Sequence, residues 1–549
     1  MTLLLPKYMT NFFQNGVFQV PQWPVIAGML LLVTASGAIS ALQNYQLQST
    51  GEDIVRDARL ALSKHLLRLP IREYDQRDSG DLLSRVSNDT SQLRNAFMQC
   101  TSALASGFIT VIGSAAFMAM LDPILFGTAI TLLLTVFTLM LLSAKFIERA
   151  SYDSQYTLGD LTSTLNRDLA GIRTIRASNG FENENKVIAA LINRVRLSGL
   201  KIARIQSVIN PLATIALQLA AIIVFGLGLW RVTTGLLSVE KLTQFIMLLF
   251  ISISPLSQII YAGSQIGNSM AAMNRIREIL DIPEEKDHDT VVTTINEHMP
   301  LVHSSPCPPA VEFQHVYFSY GSKPILRDLN LSISQGSVTA LVGPSGAGKS
   351  TILQLIERFY VPSSGNINVL GNDITTCDRD DLRSHIAYVE QDSPALSGSL
   401  RENLLLGSTY RSDDECRQVL ESVNLSHLLD RSDKGLDMQV GENGIMLSGG
   451  ERQRLAIARA LLSTAKIILL DEATANLDAD NEQLVTQLLE QAEDRTFIIV
   501  THQLTTVRNA EMIYVLSNGH VIGEGKHDHL LKTVPLYYML AKNSSLRRP

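Results

Sequence analysis

Cysteine is scarce in this chain of 549 residues: Cys100, Cys307, Cys377 and Cys416 stand far apart, at no spacing that suits zinc or a disulfide framework. They read as reduced or buried thiols. An excess of positive charge is also missing. The net charge of −7 argues against a general nucleic-acid binder. No secretory signal is evident either: no basic segment precedes a cleavable apolar core. The most telling absence is local. Five apolar stretches, approximately 24–44, 101–121, 124–143, 208–230 and 242–262, have no Asp, Glu, Lys or Arg at their centres. Each has the roughly 20 residues that a helix needs to cross hydrocarbon. The positive mean hydropathy of +0.14 agrees with a chain that lies partly in lipid.

The segments between these stretches are lopsided. Residues 49–99 carry Arg56, Arg59, Lys64, Arg68, Arg72, Arg77, Arg85 and Arg94, and residues 144–206 are similarly basic. The turn Leu121-Asp122-Pro123 has no basic residue. Basic stretches should be cytoplasmic and the short turn external. Both basic stretches also hold acids at helical spacing, so helices are expected to continue out of the membrane there. Five spans with a cytoplasmic C-terminal half would put the N-terminus outside. Met1 to Pro6 could then be the outer end of a sixth helix, and an in-frame apolar stretch upstream is expected.

At this length several domains are expected. Asp281 to Asp289 is acidic, and Ser304 to Pro309 is a run of turn formers. The reading places the transmembrane domain at 1–280, a linker at 281–310, a soluble α/β domain at 311–545 and a tail at 546–549. The second half alternates short β-branched strands with helical runs.

Its centre is Gly343-Pro344-Ser345-Gly346-Ala347-Gly348-Lys349-Ser350-Thr351. An apolar strand, Val338 to Val342, precedes it, and helix formers, Ile352 to Phe359, follow. That context marks a phosphate-binding loop. Glycines let backbone N–H groups converge on phosphate oxygens, and the new helix turns its positive end toward them. Lys349 can reach the β- and γ-phosphates, and Ser350 can offer its hydroxyl to Mg²⁺. A second constellation, Lys466 to Glu472, reads as a buried strand ending in two acids. Asp471 can hold Mg²⁺ directly or through water. Glu472, pointing differently, can orient and deprotonate a water in line with the γ-phosphate. A third, Leu447-Ser448-Gly449-Gly450-Glu451-Arg452-Gln453, is another glycine-rich helix start and so another anion site. One chain does not need two such sites for one triphosphate. Two chains facing head to tail would each lend this site to the other's ATP.

In this order the three motifs resemble the ATP-binding cassette (ABC) superfamily, whose distinguishing signature is Leu447 to Gln453. His65 to Pro70 and Ser79 to Arg85 resemble the first cytoplasmic loop of exporter half-transporters, and Gly171 to Ala177 resembles their second. The resemblance implies an α-helical transmembrane domain of the ABC exporter type followed by an α/β phosphate-loop NTPase domain. It implies that Tyr320 stacks on adenine, that Gln391 senses Mg²⁺ and the attacking water, and that His502 contacts the γ-phosphate. Asp478, in Ala475-Asn476-Leu477-Asp478, matches the loop linking the two sites. The sequence departs from the family pattern at Glu390, Asn443, Asn476 and Gln503, none of which removes a catalytic group.

The expected function is ATP-driven efflux of a hydrophobic or amphiphilic drug, lipid or peptide by alternating access, with ATP and Mg²⁺ as cofactors. The expected assembly is a homodimer of half-transporters in the plasma membrane, with the ATPase domain cytoplasmic. Tyr74 to Leu83 and Arg176 to Glu184 are the candidate coupling segments. One half of a heterodimeric exporter, and an ATP-gated channel or regulatory subunit, are the alternatives. A soluble ABC ATPase is disfavoured by the five apolar stretches. Among polar residues of those stretches, Thr34, Ser40, Asn44, Asn210, Gln218, Gln244 and Gln258 could line a cavity. Such residues more often bond to their own backbone or join helices.

Overall fold

A computed structural model describes residues 22–286, 295, 308–407, 411–472, 494–501 and 507–545. The chain divides into two compact units, Met1–Ala61 with Ser84–Arg277, and Leu62–Leu83 with Glu278–Pro549.

The first unit is helical. Its long helices are Gln22–Leu66 (whose last turn belongs to the second unit), Pro123–Ala170, Phe181–Thr233 and Val239–Leu280, of 45, 48, 53 and 42 residues. At 1.5 Å per residue they run about 60–80 Å, roughly twice the hydrocarbon thickness. This matches the expectation that helices continue through the basic stretches. The helix Pro123–Ala170 starts sharply because Asp122 caps it. Asp122 accepts from the backbone N–H groups of Ile124 and Leu125 at 2.9 and 3.0 Å, and Pro123 needs no partner there. The other Asp122 oxygen accepts from Arg231 Nε at 2.8 Å, tying this turn to the end of Phe181–Thr233. Met118, Leu125, Val224, Leu242 and Phe245 pack together beside that pair. Among the described residues no helix is long and apolar enough to cross a membrane, and each of the five apolar stretches includes side chains outside them.

Short helices interrupt the basic stretches at Ile71–Gln76, Ser79–Ser84 and Ile172–Ala177, and each overlaps one of the candidate coupling segments. Pro70, at φ −56°, ends one run and starts the next, and Gly171 does the same in the second stretch.

The second unit holds ten strands among its described residues: β1 Val311–Tyr320, β2 Lys323–Ile333, β3 Val338–Val342, β4 Ser364–Val369, β5 Asn372–Asp373, β6 Ile386–Val389, β7 Ile467–Asp471, β8 Thr496–Val500, β9 Met512–Ser517 and β10 His520–Gly525. One sheet runs β2-β1-β4-β5 and the other β10-β9-β3-β8-β7-β6. In the larger sheet β3 pairs parallel with β8 and β9, and β7 with β6 and β8. Every residue of β7 and β8 is buried, which is why both read as unbroken apolar runs. The carboxyl ends of β3 and β7 open on one edge, where parallel α/β sheets place their ligands.

The segment joining the units is anchored in the second. Glu285 accepts from Arg379 and from both terminal nitrogens of Arg383, and its backbone N–H donates to Arg68 O at 2.9 Å. Burial pushes the nearby Glu357 carboxyl up to about 7, against the pull of Arg383.

Candidate functional site

The strand β3 ends at Val342, and the helix Lys349–Ile356 begins seven residues later. Gly348 sits at φ +98°, where a Cβ would lie 2.6 Å from Leu326 Cδ2. Only glycine takes that turn without strain or a clash. Lys349 Nζ folds back under the loop and donates to Gly343 O and Pro344 O at 2.9 and 3.0 Å. Burial lowers its pKa, opposed by the carboxylates of Glu472 and Asp471.

Ser350 Oγ donates to Asp471 Oδ1 at 3.1 Å, so the phosphate loop and the end of β7 meet as the sequence predicts. Tyr388 at the end of β6 donates to the second oxygen, Oδ2, at 3.3 Å. Burial raises the Asp471 pKa, and Ser350 and Tyr388 oppose that. An all-oxygen pair of hydroxyl and carboxylate beside a phosphate cradle suits Mg²⁺, which prefers one or two carboxylates plus phosphate oxygens.

Glu472 leaves the strand at φ +48°, a left-handed conformation uncommon outside glycine. Its N–H donates to Val500 O at 2.9 Å, and Gln453 Nε2 donates to its carbonyl at 3.1 Å. Its carboxylate accepts from Gln391 Nε2 at 3.0 Å. Two of the three residues expected to act in hydrolysis are therefore in direct contact. The third, His502, and Asp478 lie outside the described residues, as do Asn476 and Gln503.

Tyr320 is part-exposed, at 38%, which sets it apart from a core tyrosine. Phe318 and Tyr360 meet its ring edge-on, with centroids 4.9 and 5.0 Å away, and its hydroxyl donates to Gln354 Oε1 at 2.5 Å. Tyr360 in turn donates to Asp75 of the short helix Ile71–Gln76. Sequence reasoning missed Tyr388, Gln354 and Tyr360. Their partners are 83, 34 and 285 residues away, so no local pattern marks them.

Ser448 caps the helix Gly449–Leu462 in a capping box with Glu451. The Glu451 carboxyl is held at about 2: burial opposes this, but His427, the Ser448 backbone and Arg431 together win. Among the described residues no hydrogen bond joins Ser448, Gly449 or Gly450 to the phosphate loop of the same chain. The loop before them turns through Gly441, Asn443 and Gly444 at φ +77°, +52° and +68°. Asn is one of the few side chains that tolerates this conformation, which accounts for Asn443 there.

In the first unit, a cavity of about 400 Å³ is lined by Ala129, Leu133, Val224 and Phe250, with Gln218 and Ser252 as its polar members. Thr34 instead bonds to its own helix, at Leu30 O and Leu31 O, as the commoner fate of such residues predicts.

Comparison with known proteins adds the wider context. The family model for the ABC transporter transmembrane region matches residues 1–256, and that for the ABC transporter matches residues 326–475. A multidrug resistance ABC transporter ATP-binding and permease protein of Lactococcus lactis is 31% identical over 542 residues, spanning 97% of this chain and 89% of that protein. The ATP-dependent lipid A-core flippase of Haemophilus influenzae is 30% identical over 532 residues, spanning 94% and 86%. Among solved structures, a bacterial Atm1-family ABC exporter with ATP bound superposes with a TM-score of 0.84 at 24% identity, covering 99% of this chain and 96% of that one.

Proposed function

The chain belongs to the ABC transporter family, with transmembrane region and ATPase fused in one polypeptide, and from that premise we propose that it exports hydrophobic or amphiphilic molecules as a homodimer. It is a membrane protein that binds ATP and couples its hydrolysis to transport. The observation that carries the catalytic reading is the meeting of Lys349, Ser350, Asp471, Glu472 and Gln391 at the ends of β3 and β7.

In this reading residues 1–280 span the plasma membrane, 281–310 link, and 311–545 form a cytoplasmic cassette. Gly343 to Thr351 hold the phosphates of ATP, and Tyr320 stacks on the adenine. Ser350, Asp471 and Gln391 hold Mg²⁺, which when bound neutralises phosphate charge. Ser448, Gly449 and Gly450 complete the site of the partner chain, and Asp478 links the two sites. Glu472 takes the proton of the attacking water, Gln391 orients both, and His502 steadies the γ-phosphate. ATP binds the closed cassette pair better than the open pair and so shifts the equilibrium toward it. The segments Tyr74 to Leu83 and Arg176 to Glu184 are the candidates for passing that motion to the spans. The uncharged lining around Gln218 favours a lipophilic cargo over an ionic one.

Reconstitution of the purified chain in vesicles tests this. ATP should drive uptake of a lipophilic fluorescent dye into inside-out vesicles, and Glu472→Gln should abolish it. ATP turnover without movement of any lipophilic or amphiphilic probe would sink the export reading. Turnover only with a second, different chain would sink the homodimer. Stacking on adenine is worth about 1–3 kcal/mol. Tyr320→Ala should therefore raise the Kd for ATP by roughly 5- to 150-fold, while Tyr320→Phe keeps it near wild type. Equal affinities for all three proteins would remove Tyr320 from the nucleotide.

A further inference from the structure

Glu451 is 7% exposed and sits in the first turn of Gly449–Leu462. Its Oε2 accepts from Ser448 N–H at 2.7 Å. Its Oε1 accepts from Arg431 Nη2 at 2.6 Å and from His427 Nε2 at 2.9 Å. Arg431 also donates through Nη1 to Met446 O at 3.3 Å. On the other side Arg452 Nη1 donates to Leu447 O at 3.0 Å. Every residue from Met446 to Ser448 is thus gripped from outside the loop. His427 and Arg431 come from and just follow the short helix His427–Asp430, and no sequence motif assigns them a role.

A capping box needs none of these outside donors. Its carboxylate can hold the N-cap N–H alone. The extra donors do two things here. They fix the rotamer of Glu451, and so the register of Ser448. They also neutralise a carboxylate one turn from a helix start that must accept a phosphate. An unpaired Glu451 would compete with that phosphate for the same positive helix end and repel it.

We infer that Arg431, assisted by His427, is a positioning residue that holds Glu451 so that Ser448, Gly449 and Gly450 can take the γ-phosphate of the partner chain's ATP. The inference rests on the head-to-tail reading above. Arg431 touches neither nucleotide nor water, and acts only through Glu451.

The test uses the full chain in lipid bilayers, with two readouts. One is ATP turnover. The other is closure of the cassettes on ATP, read as the distance between spin labels on the two cassettes in the Glu472→Gln background. Arg431→Ala should lower kcat at least tenfold and prevent closure, while the Kd of a fluorescent ATP analogue for the open state stays within threefold. Arg431→Lys should recover most of both. Adding Glu451→Gln to Arg431→Ala should also recover part, because it removes the stranded charge but keeps an oxygen for Ser448 N–H. Arg431→Ala closing and turning over within twofold of its parent would overturn the inference. So would loss that neither Arg431→Lys nor the added Glu451→Gln relieves, since that is the mark of a purely structural role. If the Glu472→Gln parent itself fails to close on ATP, the head-to-tail reading falls and this inference falls with it.

Discussion

Glu472→Gln should bind ATP with near-normal affinity and yet turn it over at least 100-fold more slowly than the parent chain. Removing a general base typically costs about 10²- to 10⁴-fold. Glutamine has the same shape and can meet Gln391, which now lies 3.0 Å from the Glu472 carboxylate. It can also keep the φ of +48° and the backbone bonds to Val500 and Gln453, since neither involves the carboxylate. The phosphate cradle, built by Lys349 and Ser350, should be undisturbed. What disappears is the one acceptor at this position that can take a proton from water. With hydrolysis stopped and binding intact, ATP should hold two cassettes together, so the variant should accumulate as a closed, nucleotide-loaded dimer. Steady-state turnover, the Kd for ATP and the fraction of closed dimer are the measurements. Turnover within twofold of wild type would remove Glu472 from the role of base.

The reach of the sequence reading follows from how local each feature is. The phosphate loop, the strand ending in Asp471 and the capped helix at Ser448 are contiguous runs whose physics is complete within a dozen residues. All three occupy the elements their patterns require. The meeting of Ser350 and Asp471 could be anticipated because parallel sheets bring strand ends to one edge. The positive φ of Glu472 could not, since nothing in a buried apolar strand announces how its last residue turns. Tyr388, His427 and Arg431 belong to no motif in the sequence. Their roles come from partners far along the chain. The short helices of the basic stretches begin where Pro70 and Gly171 set their starts, breaks that proline and glycine mark locally. Helices continuous from apolar into basic stretches were legible from acids and bases at helical spacing, and Phe181–Thr233 runs on even through Pro211.

Lys349→Ala should abolish measurable ATP binding at concentrations that saturate the parent chain. In the structure Lys349 is 6% exposed, and its ammonium is satisfied by two carbonyls of its own loop, Gly343 O and Pro344 O. Phosphate oxygens offer it a stronger partner, since a bond in which donor and acceptor are both charged outweighs one in which only the donor is. Losing contacts to two phosphates should weaken ATP binding by at least 100-fold. Alanine should leave the fold itself nearly unchanged. Two loop carbonyls lose a donor, Gly343 O inside the fold and Pro344 O nearer its surface, while Ile352, Leu353, Leu355 and Ile356 of the helix Lys349–Ile356 keep their packing. Burial also lowers the Lys349 pKa, so the buried ammonium itself is held at some cost that alanine removes. The two effects separate in thermal unfolding. Without nucleotide, variant and parent should melt within a few degrees of each other. With ATP, the parent should rise by the amount that ligand binding to the folded state supplies, and the variant should not move. A variant that still gains its full shift with ATP would show that the loop backbone and helix end hold the phosphates without the lysine. A variant that melts far lower without nucleotide would show that the lysine's bonds to Gly343 and Pro344 matter to the fold as well as to the ligand.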